Sequence, residues 1–373
     1  MRRVVLVSSH VLGSRRRAGF HWLADAFHRQ GWHVTFVTVG FSWLSRLKAD
    51  HRFGYRAHLS AGRPVELKPG LFSYVWFTRY HPLNRLPAIA NAVLGPLFRR
   101  YDRLPTPGLE PYVTQAGLIV FESTSGLMLV DRFRAWNPAA RLVYRVSDDL
   151  RLLRAHPVVL EAERRALPQF DLISVPSNYI LRQFSSQPNV ALQYHGLDTA
   201  PFDRAKNDPY DRASKGRRVV FVGNAYLDTE FLEIAARDDP DWEFHVIGAL
   251  GRLPARPNIS AHGELPYAET VPWLQHADVG LSTLRYRRGA ESFTDSLKVI
   301  QYTYCRLPIV APDFLASSRT NVFTYRPGDA ASIRFALWAA REFDRSTVDR
   351  SGIGTWDDLA RKLAGPLADE PAG

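Results

Sequence analysis

The sequence predicts an α/β protein with two doubly wound domains facing a central cleft. Short apolar runs rich in β-branched residues alternate with longer amphipathic segments, which is typical of parallel sheets covered by helices on both faces. This alternation occurs twice, in two series of similar size. Between the series lies "TAPFDRAKNDPYDRASKGRR" (199–218), a polar stretch without apolar periodicity. The sequence therefore predicts two domains joined by a linker.

The first series opens with "RRVVLVSSH" (2–10), which indicates a strand. An amphipathic helix is predicted next over 17–31, because its apolar residues recur at helical spacing and Gly31 follows them. The further predicted strands of this series are 33–40, 74–80, 116–123, 141–148, 170–177 and 190–196.

The second series starts with "RRVVFVGNA" (217–225). Its other predicted strands lie at 243–250, 259–265, 277–284 and 307–314, and its predicted helices at 229–238, 296–305 and 331–345. We expect an N-terminal domain over 1–200, a linker over 201–216, a C-terminal domain over 217–345 and a tail over 346–373. Ligands of such sheets bind beyond the carboxyl ends of the strands, which favours a site in the cleft.

Composition narrows the class of protein. The chain has 373 residues, of which 46% are hydrophobic, so two real cores are expected. The single cysteine excludes an intramolecular disulfide. The sequence contains no run of about 18 apolar residues, so no segment is expected to cross a bilayer. A net charge of +11 indicates an acidic partner such as nucleic acid, anionic lipid or a phosphorylated small molecule.

One segment combines basic and aromatic residues. "GFSWLSRLKADHRF" (40–53) carries Trp43, Arg46 and Lys48. Amphipathic segments of this kind lie in membrane interfaces, and basic clusters favour anionic lipid. A helix that covers the core and has a solvated face is the alternative interpretation. The first interpretation predicts that these three residues face a membrane.

Two stretches of the second series suit a nucleotide. In "VVFVGNAYLD" (219–228) a glycine, Gly223, follows the strand directly, and backbone can approach a ligand there. Neither a dinucleotide fingerprint nor a Walker loop is present. Further on, Lys298, Gln301 and Tyr302 are spaced to share one helix face. A lysine in a first helical turn can meet a diphosphate that the helix dipole attracts, although a solvated surface lysine fits the spacing equally.

The stretch "LVYRVSDDL" (142–150) is a predicted strand that ends on two adjacent carboxylates, Asp148 and Asp149. They form either a helix start or a catalytic site. His10 and Glu122 lie at the ends of predicted strands and are expected at the same sheet edge.

Longer blocks resemble a known family. The helix followed by "RLPIVAP" looks like the donor-binding helix and strand of GT-B glycosyltransferases. More specifically, the chain resembles the GumK-like glucuronosyltransferases of xanthan-type exopolysaccharide assembly. The similar blocks keep their order over roughly 4–330 and include "RRAGFHWLADAF", "NPAARLVYRVSDDL", "YHGLD", "VGNAYLDTEF" and "DSLKVIQY".

The resemblance implies an inverting, metal-independent transfer of glucuronic acid from UDP-glucuronate to a polyprenyl-diphosphate-linked oligosaccharide. It makes the domain 1–200 acceptor-binding and the domain 217–345 nucleotide-sugar-binding, with Asp148 as the catalytic base and Asp198 as a functional acid. Asp149 would support the loop, and His10 would either orient the acceptor or cap the end of its strand. The resemblance places donor binding at Lys298 and Gln301, whereas Ala225 stands where the family has a methionine. The expected donor-binding residues are Lys298, Gln301, Gly223, Asn224, Ala225, Tyr302, Arg285 and Arg288.

These expectations imply no cofactor, because the UDP-sugar is a substrate and no suitable metal motif occurs. The expected partners are the donor, the lipid-linked acceptor and an anionic membrane surface at the inner face of the cytoplasmic membrane. Two alternatives remain: a transferase of the same fold that uses another UDP-hexose, and a nucleic-acid-binding protein. The second rests on charge alone, since no nucleic-acid motif is recognised.

Overall fold

The computed structural model describes residues 1–14, 17–48, 50–55, 60–204, 206–210, 216–223, 226–315 and 317–369, except for the side chain of Lys48. The strands are β1 (Arg3–Ser8), β2 (His33–Ser42), β3 (Pro64–Lys68), β4 (Leu71–Thr78), β5 (Leu118–Glu122), β6 (Arg141–Arg145), β7 (Leu172–Val175), β8 (Val190–Leu192), β9 (Arg217–Val222), β10 (Trp242–Ile247), β11 (Ile259–Gly263), β12 (Val279–Leu281), β13 (Ile309–Pro312) and β14 (Val322–Tyr325). The helices are α1 (Gly19–Arg29), α2 (Ala88–Phe98), α3 (Glu110–Thr114), α4 (Val130–Trp136), α5 (Pro157–Ala166), α6 (Asn178–Gln183), α7 (Thr229–Asp238), α8 (Tyr267–His276), α9 (Leu297–Tyr304), α10 (Ala330–Glu342) and α11 (Trp356–Ala364).

The first sheet has eight strands in the order β3-β4-β2-β1-β5-β6-β7-β8. The strands pair in parallel except for β3 and β4, which are antiparallel. The strand order reverses between β1 and β5, and such a reversal forms a crevice at the carboxyl ends of the two strands. Ser8 ends β1 and Glu122 ends β5 at this point.

The second sheet has six strands in the order β11-β10-β9-β12-β13-β14, all paired in parallel. Its order reverses between β9 and β12. Two doubly wound α/β sheets therefore confirm the predicted fold class.

The central strands are almost continuously apolar because helices cover both of their faces. In β5 all five residues are buried, and in β1 only the first is not. The predicted amphipathic helix is α1, which buries Phe20, Leu23, Ala24 and Phe27. Its end is marked by Gly31 at φ +77°, a backbone conformation that favours glycine.

The structure divides the chain into two units, Met1–Gly196 together with Trp356–Gly373, and Leu197–Thr355. These boundaries differ from the predicted ones in two places. In the segment predicted as a linker, Phe202 and Tyr210 are buried, and the Tyr210 hydroxyl donates a hydrogen bond to the Trp273 carbonyl at 2.7 Å. The segment therefore packs on the second unit.

The predicted tail also has a defined place. Helix α11 buries Trp356, Leu359 and Leu363, and a Cβ at Gly19 of α1 would lie 3.3 Å from the Trp356 ring. The first unit is thus completed by residues that follow the second unit in sequence.

Candidate active site

Three polar side chains meet at the carboxyl edge of the first sheet. His10 follows β1, Glu122 ends β5 and Asp148 follows β6, and parallel strands bring these positions together. The Ser8 hydroxyl donates to Glu122 Oε2 at 2.5 Å, and His10 Nε2 lies 3.9 Å from Glu122 Oε1. The Asp148 amide donates to the Ser123 hydroxyl at 3.0 Å. We call His10, Glu122 and Asp148 the edge cluster.

The edge cluster alters the acidity of Asp148. Burial, together with the negative charges of Glu122 and Asp149, raises the pKa of Asp148 to about 6, and His10 opposes this rise. A carboxyl group with this pKa is mostly ionised at neutral pH, yet is a stronger base than an ordinary aspartate.

Asp149 has a different environment. Its side chain is 7% exposed; Oδ1 accepts a hydrogen bond from the Arg151 amide at 2.7 Å and Oδ2 accepts one from Gln183 Nε2 at 3.1 Å. Both carboxylate oxygens therefore hold the loop together. Within the described residues the Asp148 carboxylate accepts no hydrogen bond, so Asp148 is the better placed of the pair to take a proton.

A cavity of about 730 Å³ opens beside the edge cluster, within the first unit. We call it the acceptor cavity, after the ligand that the resemblance leads us to expect in this domain. Its polar and basic lining comes from His10, Arg17, Asp50, His51, Arg52, His81, Asn84, Arg85, Ser123, Thr124 and Ser125, and its apolar lining includes Leu83, Leu150, Leu153 and Val159. The mixture suits a ligand that has both sugar hydroxyls and an anionic group.

Arg145 was not predicted to be a site residue from the sequence. It ends β6, is fully buried, and donates to the Ser174 hydroxyl at 2.8 Å and to the Gln193 carbonyl at 2.6 Å. Burial lowers its pKa to about 9. It ties β6 to β7 and to the chain after β8, and so fixes the strand that carries Asp148. The signal in the sequence was a charged residue inside the apolar run "LVYRV".

Lys298 is the central residue of the second unit's candidate site. It lies in the first turn of α9, where its Nζ is 4.4 Å from the centre of the Phe221 ring. A Cβ added to Gly223 would be 3.6 Å from that Nζ. Burial lowers the pKa of Lys298 to about 7, and no acidic partner lies beside it among the described residues. An anion beside Gly223 would restore its charge.

The other predicted donor residues differ in their surroundings. Gln301 is buried on α9. Tyr302 lies beneath the sheet: its hydroxyl accepts from the Val222 amide at 3.0 Å and donates to the Leu281 carbonyl at 3.2 Å. It therefore ties β9 to β12, and its buried ring offers no surface to a ligand. Asn224 and Ala225 lie outside the described residues.

A second cavity, of about 460 Å³, lies within the second unit. Arg252, Arg285 and Arg287 line it together with Tyr226 and Tyr286. Arg285 donates to the Thr229 hydroxyl at 3.3 Å, whereas the exposed Arg288 is not part of the lining. Arg252 and Arg287 were missed in the sequence because they are spread over two loops.

The structure also describes Asp198 and part of the predicted membrane segment. Asp198 belongs to the second unit, where its carbonyl accepts a hydrogen bond from the Tyr267 hydroxyl at 3.5 Å. In the segment 40–53, Trp43 is half exposed and the Arg46 guanidinium lies 4.7 Å from its ring centre. The side chain of Lys48 is outside the described part of the chain.

The same segment is not one helix. Its first residues belong to β2, where Phe41 is buried, and two short 3-10 turns follow. Arg52 is buried as well, since it forms an ion pair with Asp50 at 2.6 Å and donates to the carbonyls of Ser9, Val39 and Gly40. Arg52 therefore adds no exposed positive charge to this segment.

Within the described residues no group of three or more His, Cys, Asp or Glu side chains is arranged to hold a metal ion. The same residues include no helix that combines the length and apolar character needed to cross a membrane.

Comparison with known proteins adds to this geometry. Residues 6–176 match the family model of the glucuronosyltransferase GumK N-terminal domain. The chain is also 29% identical, over 367 residues, to the UDP-glucuronate:glycolipid 2-beta-glucuronosyltransferase of Xanthomonas campestris pv. campestris, covering 98% of this chain and 90% of that protein. The chain is thus similar to GumK glucuronosyltransferases, in its first part by the family model and over nearly its whole length by this relative. The matched region contains the whole edge cluster, whereas Lys298 lies beyond it.

Solved structures agree with the fold of this chain. Sucrose-phosphate synthase of Thermosynechococcus elongatus aligns with a TM-score of 0.63 at 15% identity, covering 98% of both chains. HepE of Anabaena, solved with UDP and glucose, aligns with a TM-score of 0.59 at 12% identity, covering 97% of this chain and 95% of that one. These likenesses establish the GT-B fold.

Proposed function

We propose that the chain transfers glucuronic acid from UDP-glucuronate to a lipid-linked oligosaccharide, with inversion at the anomeric carbon and without a metal ion. The observation that carries the proposal is the edge cluster, which gives Asp148 a raised pKa inside the region matched by the GumK family model. The relative's activity on UDP-glucuronate and a glycolipid supports the choice of donor and acceptor.

The proposed reaction is a single displacement. The acceptor hydroxyl attacks the anomeric carbon as the bond from that carbon to the UDP oxygen breaks. Asp148 takes the hydroxyl proton, and UDP leaves with the bonding electron pair. Because attack and departure occur on opposite faces, an α-linked donor gives a β-linked product.

The proposed step uses two charged side chains. In the first unit, Glu122 and burial raise the proton affinity of Asp148 as the acceptor oxygen gives up its proton. In the second unit, Lys298 gains its charge when an anion binds beside it, and that charge stabilises the leaving diphosphate. A metal ion would otherwise supply such stabilisation, so Lys298 is the basis for proposing a metal-independent reaction.

A donor panel tests the proposal. UDP-glucuronate, UDP-glucose and UDP are compared by thermal shift, and product is then sought with a polyprenyl-diphosphate-linked acceptor. We expect the largest shift and a β-linked glucuronate product with UDP-glucuronate. Transfer of another hexose alone would establish the same-fold alternative, and stabilisation by RNA without any sugar nucleotide would establish nucleic-acid binding.

Replacing Asp148 tests the base. Asp148→Asn is expected to lower turnover by at least a thousandfold and to leave UDP affinity within about twofold, because general-base loss acts on chemistry alone. Asp149→Asn is the neighbouring comparison and is expected to act through loop stability. Near-normal turnover in Asp148→Asn would disprove the assignment.

The lipid-linked acceptor also bears on localisation. An enzyme that uses such an acceptor works at a membrane surface, and we propose that this chain binds peripherally to the cytoplasmic face of the cytoplasmic membrane. The half-exposed Trp43 with Arg46 over its ring is consistent with contact at an interface.

A further inference from the structure

Helix α2 has an apolar outer face. Ile89 is 81% exposed, Val93 is 71% exposed and Leu97 is 40% exposed. These residues are four apart, so they form one stripe along the helix. Ala88, Ala92 and Pro96 are exposed beside them, and the stretch "LPAIANAVLGPLF" (86–98) contains no charged residue. We call this surface the α2 face.

The opposite side of α2 is anchored in the first unit. Phe98 is fully buried, and its ring meets the His156 ring edge-on at 4.9 Å between centres. Leu94 packs on the main core of that unit. These buried contacts hold α2 in place, and the α2 face is its solvent-exposed side.

Basic residues flank the α2 face at both ends. Arg85 precedes the helix, and Arg99, Arg100 and Arg103 follow it; all four are exposed. Arg99 meets Glu161 at 3.4 Å, while the other three form no ion pair within the described residues. An apolar stripe with arginines around it is complementary to an anionic bilayer, whose headgroups attract the arginines while the boundary of the acyl chains accepts the stripe.

The α2 face lies next to the acceptor cavity. Arg85, two residues before the proline that opens α2, lines that cavity. Ser45 lines it from the 3-10 turn Trp43–Lys48, which exposes Trp43 and Leu47. Exposed apolar side chains therefore border the cavity on two sides. At 1.5 Å per residue, 11 residues give a helix about 16 Å long, which is suited to lying in an interface.

We propose that the α2 face docks the first unit onto an anionic lipid bilayer, with Ile89, Val93 and Leu97 in the boundary between headgroups and acyl chains. This docking brings the acceptor cavity to the membrane surface, where a lipid-linked acceptor presents its diphosphate and sugars. The inference rests on the proposed function only for the nature of that acceptor.

Vesicle flotation tests the docking. The whole protein is mixed with vesicles of phosphatidylcholine and phosphatidylglycerol at a 3:1 ratio, and the bound fraction is measured for wild type and for the double variant Ile89→Glu/Val93→Glu. Both side chains are exposed, so folding is expected to persist and is checked by circular dichroism. We expect at least a tenfold loss of vesicle binding.

The matched control lies on α10 of the second unit. Phe335 and Trp338 are 65% and 55% exposed, so Phe335→Glu/Trp338→Glu introduces the same charge at apolar positions that are also more than half exposed. The control variant is expected to bind vesicles as wild type does. Equal binding of the α2 variant and wild type, or an equal loss in both variants, would overturn the proposal.

Charge is tested separately. Arg100→Gln/Arg103→Gln is expected to weaken binding to anionic vesicles by about fivefold per arginine and to leave binding to pure phosphatidylcholine unchanged. If wild type self-associates through the α2 face in sedimentation experiments and does not float with vesicles, the occupant is a second copy and the proposal is wrong.

A water-soluble acceptor separates this inference from the proposed function. With a short-chain, detergent-free acceptor, Ile89→Glu/Val93→Glu should turn over UDP-glucuronate within about twofold of wild type, and it should lose turnover only on vesicle-embedded acceptor. If neither protein turns over any acceptor, the proposed function fails while flotation still decides the docking. If both protein forms are equally active on both acceptors, the docking fails while the function stands.

Discussion

At the scale of single residues, neighbours in sequence can have opposite roles. Asp148 and Asp149 are adjacent, yet their surroundings differ. Asp149 accepts a hydrogen bond from Gln183, 34 positions away in sequence, whereas Asp148 lies beside Glu122 and His10. A sequence gives no sign of the Gln183 contact, because it depends on how α6 packs. The family resemblance, rather than the local pattern, distinguished the two carboxylates in advance.

The raised pKa of Asp148 predicts a pH dependence of activity. Because the carboxylate form is the base, kcat/KM should rise about tenfold per pH unit below about 6 and level off above it. A pH–rate profile from 4.5 to 8 with UDP-glucuronate and acceptor measures this. A flat profile across pH 6 would show that another group takes the proton.

The same shift predicts an effect on stability. Between pH 4 and 6 the folded state holds a proton on Asp148 that the unfolded state has released, so the free energy of unfolding falls as pH rises through this window. The fall amounts to at most about 3 kcal/mol. Asp148→Asn cannot titrate, so urea titrations should find the variant gaining on wild type from pH 4 to pH 7.

Lys298 makes a prediction about UDP binding. Its pKa near 7 means that a bound diphosphate should draw a proton onto the amine. Calorimetric titration with UDP in buffers of different ionisation enthalpy should detect uptake of about half a proton at pH 7. Lys298→Arg is the control, because arginine is already charged and takes up none. Equal uptake in both proteins would assign the proton to another group.

At the scale of elements, the strands and amphipathic helices were predictable because their periodicity reports burial directly. Segments that depend on tertiary contacts were not. The segment 40–53 shows an aromatic and basic pattern, but Arg52 is buried by backbone carbonyls that other elements supply. Helix α2 was passed over because an uncharged stretch normally indicates a core element.

Helix α11 predicts an effect on the stability of the first unit. Trp356 packs against Gly19, and Arg29 meets Asp357 at 3.1 Å. Trp356→Ala should lower the free energy of unfolding of that unit by about 3–5 kcal/mol, because it leaves a large cavity against α1. Arg361→Ala, on the exposed side of the same helix, should change it by less than about 0.5 kcal/mol. Urea unfolding compares the two variants, and similar small losses would contradict the packing described above.

At the scale of the whole molecule, the fold class could be predicted because two alternating series leave few other arrangements. The division of the chain could not, since nothing in residues 346–373 indicates which unit they join. The packing of Trp356 against Gly19 of α1 spans more than 300 positions, and amphipathic periodicity identifies a face without identifying its partner.

The second unit should fold and bind UDP by itself. It has its own six-stranded sheet and core, and Lys298, Phe221 and Gly223 all lie within it. A fragment comprising 197–355 is expected to show a cooperative unfolding transition and to be stabilised by UDP, whereas the same fragment carrying Lys298→Met should lose that stabilisation. A folded fragment that ignores UDP would move the nucleotide site elsewhere.

The ends of that unit lie side by side: the Leu197 amide donates to the Gly354 carbonyl at 3.0 Å, and Leu197 pairs with Thr355. The second unit is therefore an insertion in the chain of the first unit, and the chain enters and leaves it at neighbouring positions. Exchange of the inserted unit would not strain the chain of the first unit at the junction, and under the proposed function it would change the donor. The same arrangement delays folding of the first unit during synthesis, because α11 is made after the whole second unit.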